Sequence, residues 1–259
     1  MATTELLTSR DGAIATITLN RPEKRNALTI PMLEAFHAAL KEVAADESVR
    51  VLVLAGSGKA FCAGLDLKEM GLARRPDGSV EYPEIEGALH ELERCPMPTI
   101  AMMQGDAIAG GLELALHCDL RVAGQGARMG MPLARIGLVV PFPLTQKLLD
   151  TVGTVKTKEM LFTGSLLDAE SARAAGLVTR VVPDADLESA TRALAGEIAA
   201  NAPLSLRTMK AAINEANGFR NPQPSSALAA QAAHTRRSED LQEGLRSVFE
   251  KRRAIFHGR

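Results

Sequence analysis

Neither sign of charge dominates this chain: 30 lysines and arginines stand against 31 aspartates and glutamates, a formal net charge of -1 over 259 residues. A general nucleic-acid binder carries a basic face, so no nucleic-acid partner is expected. No apolar run has the length that a membrane span needs, so no membrane partner is expected either. The first residues, MATTELLTSR, lack the basic-then-apolar pattern of a secretory leader. Cysteine is scarce: Cys62, Cys95 and Cys118 are an odd number without metal-type spacing. They read as reduced thiols of a cytoplasmic protein, packed as small apolar residues rather than used as nucleophiles, and no metal site is expected. Nucleotide fingerprints are missing as well. The run Gly56-Ser57-Gly58-Lys59 resembles part of a phosphate loop, but Val53 and Ala60 occupy the places where such a loop needs a glycine and a hydroxyl residue. Phe61 stands where a dinucleotide fingerprint needs its third glycine, which leaves a tight turn after a strand.

What is present is a chain with 46% hydrophobic residues, long enough for a large core in one α/β domain, alone or with an appendage. The segments 13–19 (AIATITL) and 49–55 (VRVLVLA) predict strands, the second covered on both faces because it is almost continuously apolar. Thr29 is placed to cap a helix in which Leu33, Phe36, Leu40 and Val43 share one face, with His37 beside it as a surface or packing histidine. Residues 71–83, with Arg74, Arg75, Pro76 and the single tyrosine Tyr82, predict a mobile surface loop. A short helix is expected over 85–92 and another strand over 120–123. The run 128–145, RMGMPLARIGLVVPFPLT, holds three prolines and reads as loop and wall material for a pocket. Asp168 is expected to cap a short helix that Gly176 ends, followed by a strand in LVTRVV. From residue 186 onward strands give way to helices, over 186–200, 203–217 and about 225–256, with a boundary near residue 200.

The stretch 98–113, PTIAMMQGDAIAGGLE, is where chemistry gathers. A buried strand over 99–103 is broken at Gln104-Gly105-Asp106; a second apolar start then leads through Gly110-Gly111 into a helix over 112–116. Glycines ahead of a helix leave backbone N–H groups free for a ligand oxygen, or they simply permit tight packing. Glu113 lies one turn inside that helix, and His117 four residues further on the same face. Glu113, His117 and Cys118 could be drawn as a metal site, but no second ligand cluster accompanies them. A second loop has the same format, strand and then small residues with glycine, at Ala63-Gly64-Leu65. If the two loops meet, the N–H groups of Leu65 and Gly110 can face one oxygen.

That pair of loops resembles the crotonase (enoyl-CoA hydratase/isomerase) superfamily. The resemblance extends through NRPEKRNAL at 20–28, KAFCAGLDLKEM at 59–70, QGDAIAGGLELALHCDLRVAG at 104–124, FTGSLLDAESARAAGLVTRVVP at 162–183, NAPLSLRTMK at 201–210 and SEDLQEGLRSVFEKRR at 238–253. It implies an α/β fold, a spiral of β-β-α repeats over 1–200 with a helical oligomerisation region at 201–259, assembled as a homotrimer or dimer of trimers. The substrate it implies is an acyl-CoA thioester, coenzyme A being part of the substrate and no other cofactor being required. It assigns Leu65 and Gly110 as backbone donors to the thioester oxygen and Glu113 as the acid/base. Lys24, Arg25, Ala63 and Asp66 fall near the coenzyme A nucleotide, with Lys251, from this or a neighbouring subunit, near a phosphate. The aromatic residue that the family often places shortly before that lysine is Val248 here, with Phe249 adjacent. Leu133, Val140, Pro141 and Phe142 fall in the substrate pocket.

The chain departs from the hydratase pattern at one point. The second carboxylate of such hydratases falls at Leu133, and no carboxylate stands anywhere in 129–146, where related isomerases and dehalogenases carry their acids. The main expectation is hydration or isomerisation of an enoyl-CoA by Glu113 alone. Decarboxylation of a malonyl-type CoA, which an apolar wall favours and which needs no base, is the alternative. A homologue that only binds acyl-CoA is a third reading.

Overall fold

Alternation of buried and half-buried residues marks the second strand of the first hairpin, while the first strand is largely exposed. The computed structural model describes residues 5–68, 85–218 and 226–257, and the predicted loop 71–83 with Tyr82 lies outside them. Strands β1 (Leu6–Asp11) and β2 (Ile14–Leu19) pair antiparallel across Gly12, whose φ of +57° suits the tight turn. From there the chain alternates between two sheets. Strands β3 (Val51–Gly56), β5 (Thr99–Met103), β7 (Leu120–Gly124) and β10 (Arg180–Val182) extend β2 in parallel to give the order β1-β2-β3-β5-β7-β10. Strands β4 (Ala60–Cys62), β6 (Asp106–Ile108) and β8 (Arg128–Gly130) run parallel in the smaller sheet, which β9 (Leu167–Asp168) closes antiparallel. Each step along the large sheet is thus matched by one along the small sheet, the spiral of β-β-α repeats that the resemblance implies.

The core explains the apolar strands. Leu52 and Leu54 of β3 point into the main core between the sheets, while Val51 and Val53 point to the opposite face. There Leu187, Leu194 and Ala195 of helix α6 (Leu187–Ala199) cover them. A strand covered on both faces has no solvent side to mark with polar residues.

Helix α1 (Ile30–Ala45) begins at Thr29, whose hydroxyl accepts from the Met32 N–H at 3.2 Å, and buries Leu33, Phe36, Leu40 and Val43. His37 bonds Glu91 at 2.9 Å on the helix surface. Helix α2 (Glu86–Arg94) and helix α3 (Gly110–Leu116) follow their respective strands. Helix α5 (Ala169–Ala174) is capped by Asp168, which accepts from Ser171 N at 2.7 Å.

Two predicted stretches fold differently. The wall segment is not loop throughout: after β8 it forms a 3-10 turn (Pro132–Ile136), and at Phe142 it enters helix α4 (Phe142–Thr163), bent at Gly153. Pro141 and Pro143 sit at the start of that helix, where a missing N–H costs nothing, so they open the helix rather than break it. The C-terminal stretch is not one helix but two, α8 (Ser226–Thr235) and α9 (Glu239–Phe249), following α7 (Pro203–Gly218). Ser238 causes the break: its hydroxyl accepts from Leu241 N at 3.1 Å and donates to the Thr235 carbonyl at 2.8 Å. Among the described residues, no helix is long and apolar enough to cross a membrane.

Candidate active site

The first loop of the site is set by Asn26. Its side chain is fully buried, its φ is +54°, and its Nδ2 donates to the carbonyls of Ser57, Ala60 and Phe61 at 2.9, 2.8 and 3.1 Å. Its Oδ1 accepts from Arg21 N at 2.9 Å, so one amide ties the polar loop 20–26 to the ends of β3 and β4. The next residues lie alongside 63–66: Ala63 N donates to Arg25 O at 3.0 Å, Leu28 N to Gly64 O at 2.8 Å, and Asp66 N to Leu28 O at 2.8 Å. In such a parallel bridge the bonds to Leu28 come from the neighbours of Leu65, so the Leu65 N–H faces the other way. Asn26→Ala removes the two N–H donors that three carbonyls share, and a side chain that tolerates positive φ. A loss of about 2 kcal/mol in stability is expected in urea unfolding, and an unchanged midpoint would contradict this anchoring role.

The second loop turns on Ala109. This non-glycine residue has φ +51° and ψ -120°, a strained geometry of the kind that folds retain at functional positions. Its N–H donates to Gly130 O at 2.9 Å, and its carbonyl accepts from Glu113 N at 2.9 Å, the first bond of α3. Gly110, at the first helical position, therefore has no intrahelical acceptor for its N–H.

The two loops touch. A Cβ built on Gly64, whose φ is +91°, would lie 3.0 Å from Gly110 N, and one built on Gly110 would lie 3.5 Å from Leu65 N. A Cβ on Gly111 would lie 2.1 Å from Cys62 O, which no side chain can occupy. Each explanation for the glycine pair therefore holds for one residue: Gly111 permits close packing of α3 on β4, and Gly110 borders the space beside the Leu65 N–H. Glu113, 9% exposed, sits one turn inside the same helix.

The wall opposite is apolar. Leu133 and Ile136 of the 3-10 turn pack with Leu65 and Leu67 against Leu138 and, from α9, Leu241 and Leu245. Leu133, where the resemblance puts the second carboxylate, thus shares a cluster with the Leu65 loop. Of the other predicted pocket residues, Val140 packs on the main core, which Leu65 also borders, Pro141 caps α4, and Phe142 is its half-buried first residue. A cleft of about 340 Å³ lies between the 3-10 turn and the C-terminal helices, but its lining, which includes Ala134, Gly137, His234 and Phe256, contains none of Leu65, Gly110 and Glu113.

Of the expected coenzyme A residues, Lys24 and Arg25 are exposed and Ala63 is half-buried. Asp66 is occupied within the protein: Oδ2 takes Arg21 Nη1 and Nη2 at 3.3 and 3.4 Å, and Oδ1 takes Lys68 N at 3.1 Å. Arg21 escaped the sequence reading, although it also donates to Ala27 O at 2.6 Å and pairs with Glu5 at 3.0 Å. Only its place in a cation-rich loop could have signalled it. Lys251 is exposed just past α9 with φ +53°. The thiols of Cys62 and Cys118 are pushed up to about 12 by burial, which leaves them inert as nucleophiles. The His117 ring bonds the Glu113 carbonyl.

Comparison with known proteins bears directly on the resemblance. The family model for enoyl-CoA hydratase/isomerase matches residues 9–259. The chain belongs to the enoyl-CoA hydratase/isomerase family. A putative enoyl-CoA hydratase/isomerase of Bacillus subtilis, YngF, is 37% identical over 256 residues, covering 98% of each chain. The crystal structure of an enoyl-CoA hydratase/carnithine racemase from Magnetospirillum magneticum shares 34% identity and a TM-score of 0.76, over 98% of this chain and 96% of the other. A methylmalonyl-CoA decarboxylase structure shares 25% identity and a TM-score of 0.90 over the whole of both chains. Solved structures whose names record different reactions thus share this backbone.

Proposed function

We propose that this family member binds an acyl-CoA thioester and hydrates or isomerises an enoyl-CoA, with Glu113 as its only acid/base. The observation that carries this reading is the contact of the two loops, which sets Gly110 N and Leu65 N at the border of one space beside Glu113's helix. In hydration, the Glu113 carboxylate takes a proton from water as the water oxygen bonds to the β-carbon. The electron pair of the double bond moves to the thioester, whose oxygen becomes enolate-like and is held by the Leu65 and Gly110 N–H groups. Glu113, now protonated, returns a proton to the α-carbon, so one carboxylate serves twice. Isomerisation uses the same group to move a proton between carbons. Coenzyme A enters as part of the substrate, its nucleotide beside Lys24, Arg25 and Ala63 and a phosphate near Lys251; no further cofactor is called for. The assembly is read as a cytoplasmic homotrimer or dimer of trimers, and the exposed Leu204, Met209 and Ile213 of α7 suit such an interface.

Decarboxylation of a malonyl-type CoA is the second reading, favoured by Leu133 in its apolar cluster and by the close fit to the methylmalonyl-CoA decarboxylase backbone. There the bond to CO2 breaks, its electron pair passes to the thioester oxygen, and the same two donors hold the enolate. Parallel incubations with crotonyl-CoA and methylmalonyl-CoA, read by mass spectrometry, separate the two. Gain of water by crotonyl-CoA supports hydration; loss of CO2 from methylmalonyl-CoA with crotonyl-CoA untouched would overturn it for the second reading.

A further inference from the structure

A group of buried and half-buried charges lies behind Glu113, at the end of α3, and the thioester chemistry does not use it. His117 follows the helix and is 7% exposed; its Nδ1 lies 2.8 Å from the Glu113 carbonyl oxygen, which also accepts the His117 N–H at 3.2 Å. A carbonyl only accepts, so Nδ1 carries the proton and donates, and Nε2 is the other face of the ring. Nε2 points toward Glu93 Oε2 of α2 at 4.0 Å. Glu93 is in turn paired with Lys147 Nζ of α4 at 2.7 Å, and its backbone carbonyl accepts from Asn214 Nδ2 of α7 at 2.9 Å. Three helices from outside the site therefore meet at Glu93, beside the imidazole.

We propose that His117 is a positioning residue for Glu113, its Nδ1–H clamping the Glu113 carbonyl. The inference rests on Glu113 being the acid/base. Helix α3 is only 7 residues long, so few internal bonds resist its rotation. A small rotation would re-aim the carboxylate, and a displacement of about 1 Å can cost roughly 10²-fold in rate. The electrostatics fit a neutral clamp. Burial and then the Lys147 charge push His117 down to about 4, with His90 adding to them, against the opposing pull of the Glu113 carbonyl and Glu93. Burial raises Glu93, but Lys147, His117 and His90 outweigh it and hold the carboxyl below its usual range. At neutral pH His117 is therefore uncharged, and it puts no cation beside the helix end that carries Glu113.

The test pairs His117→Leu, which has no donor, with His117→Asn, whose amide can replace Nδ1–H. The expected result is a fall of roughly tenfold in kcat for His117→Leu at nearly constant KM, measured well below its melting temperature, with most of the loss recovered in His117→Asn. Nitrogen-15 spectra of histidine-labelled protein should place the imidazole proton on Nδ1. Because the folded pKa lies below the ordinary 6.5, the unfolded chain takes up the proton first. Stability should therefore fall as pH drops from about 6.5 toward 4, and His117→Leu should lack that component. Equal kcat in the Leu and Asn variants, or a proton on Nε2, would overturn the inference. Full turnover in Glu113→Gln would overturn the acid/base reading itself, so the two failures are distinguishable.

Discussion

Glu113→Gln is expected to lower crotonyl-CoA hydration by roughly 10²–10⁴-fold, the usual worth of a positioned acid/base. Most of the loss should appear in kcat, with KM nearly unchanged, since the amide keeps the size of the carboxylate and leaves both thioester donors in place. The loss should be near the upper end of that range because no other carboxylate stands in the 129–146 wall to take over the proton. Glu113 is buried on a helix whose backbone is tied at Ala109 and at His117, so a neighbouring group cannot readily swing into its place. The same variant divides the two reactions. Decarboxylation needs an enolate site but no base, so a protein that loses CO2 from methylmalonyl-CoA at an undiminished rate as Glu113→Gln works by the second route. Retained hydration in the variant would remove Glu113 from the mechanism.

Gly110→Pro should be nearly as damaging, and to every reaction of this site. It deletes one of two N–H donors to the thioester oxygen, a change worth about 2.7–4 kcal/mol of transition-state stabilisation, or roughly 10²–10³ in kcat. Proline suits the first position of a helix, but Ala109 before it is already strained, so a stability loss must be separated from the loss of the donor. Gly110→Ala makes that separation. Its Cβ would meet Gly64 Cα at 3.4 Å and Leu65 N at 3.5 Å, ordinary contacts, and its N–H is intact. The alanine variant should fold with a near-native melting temperature and retain more turnover than the proline variant. Equal turnover in proline and glycine forms, measured with the same folded fraction, would show that Gly110 N–H does not bind the developing charge.

How far the sequence carried depends on whether a feature is local. The strand at β3 could be read because both of its faces are covered, and the starts of α1 and α5 because Thr29 and Asp168 are capping residues bonded to N–H groups close by. Helix α4 was hidden because Pro141 and Pro143 look like breakers until their place at the helix start is known. The division of the C-terminal stretch rests on a single Ser238 hydroxyl that turns back to the Thr235 carbonyl. Within the site, Glu113 and the glycines were visible as motif residues, but the approach of Gly64 to Gly110 is made by parallel pairing of β4 with β6. No local pattern encodes that approach. Asn26 and Arg21 were missed as organisers for the same reason: their partners at 57–61 and at Asp66 lie far along the chain.

The crystal structure of a complex with an unreactive saturated acyl-CoA, such as butyryl-CoA, tests the shared oxyanion site most directly. The account predicts the thioester oxygen about 2.7–3.1 Å from both Leu65 N and Gly110 N, with the Glu113 carboxylate facing the α- and β-carbons. A thioester oxygen bound away from either N–H, or an acyl chain that never passes Glu113, would contradict it.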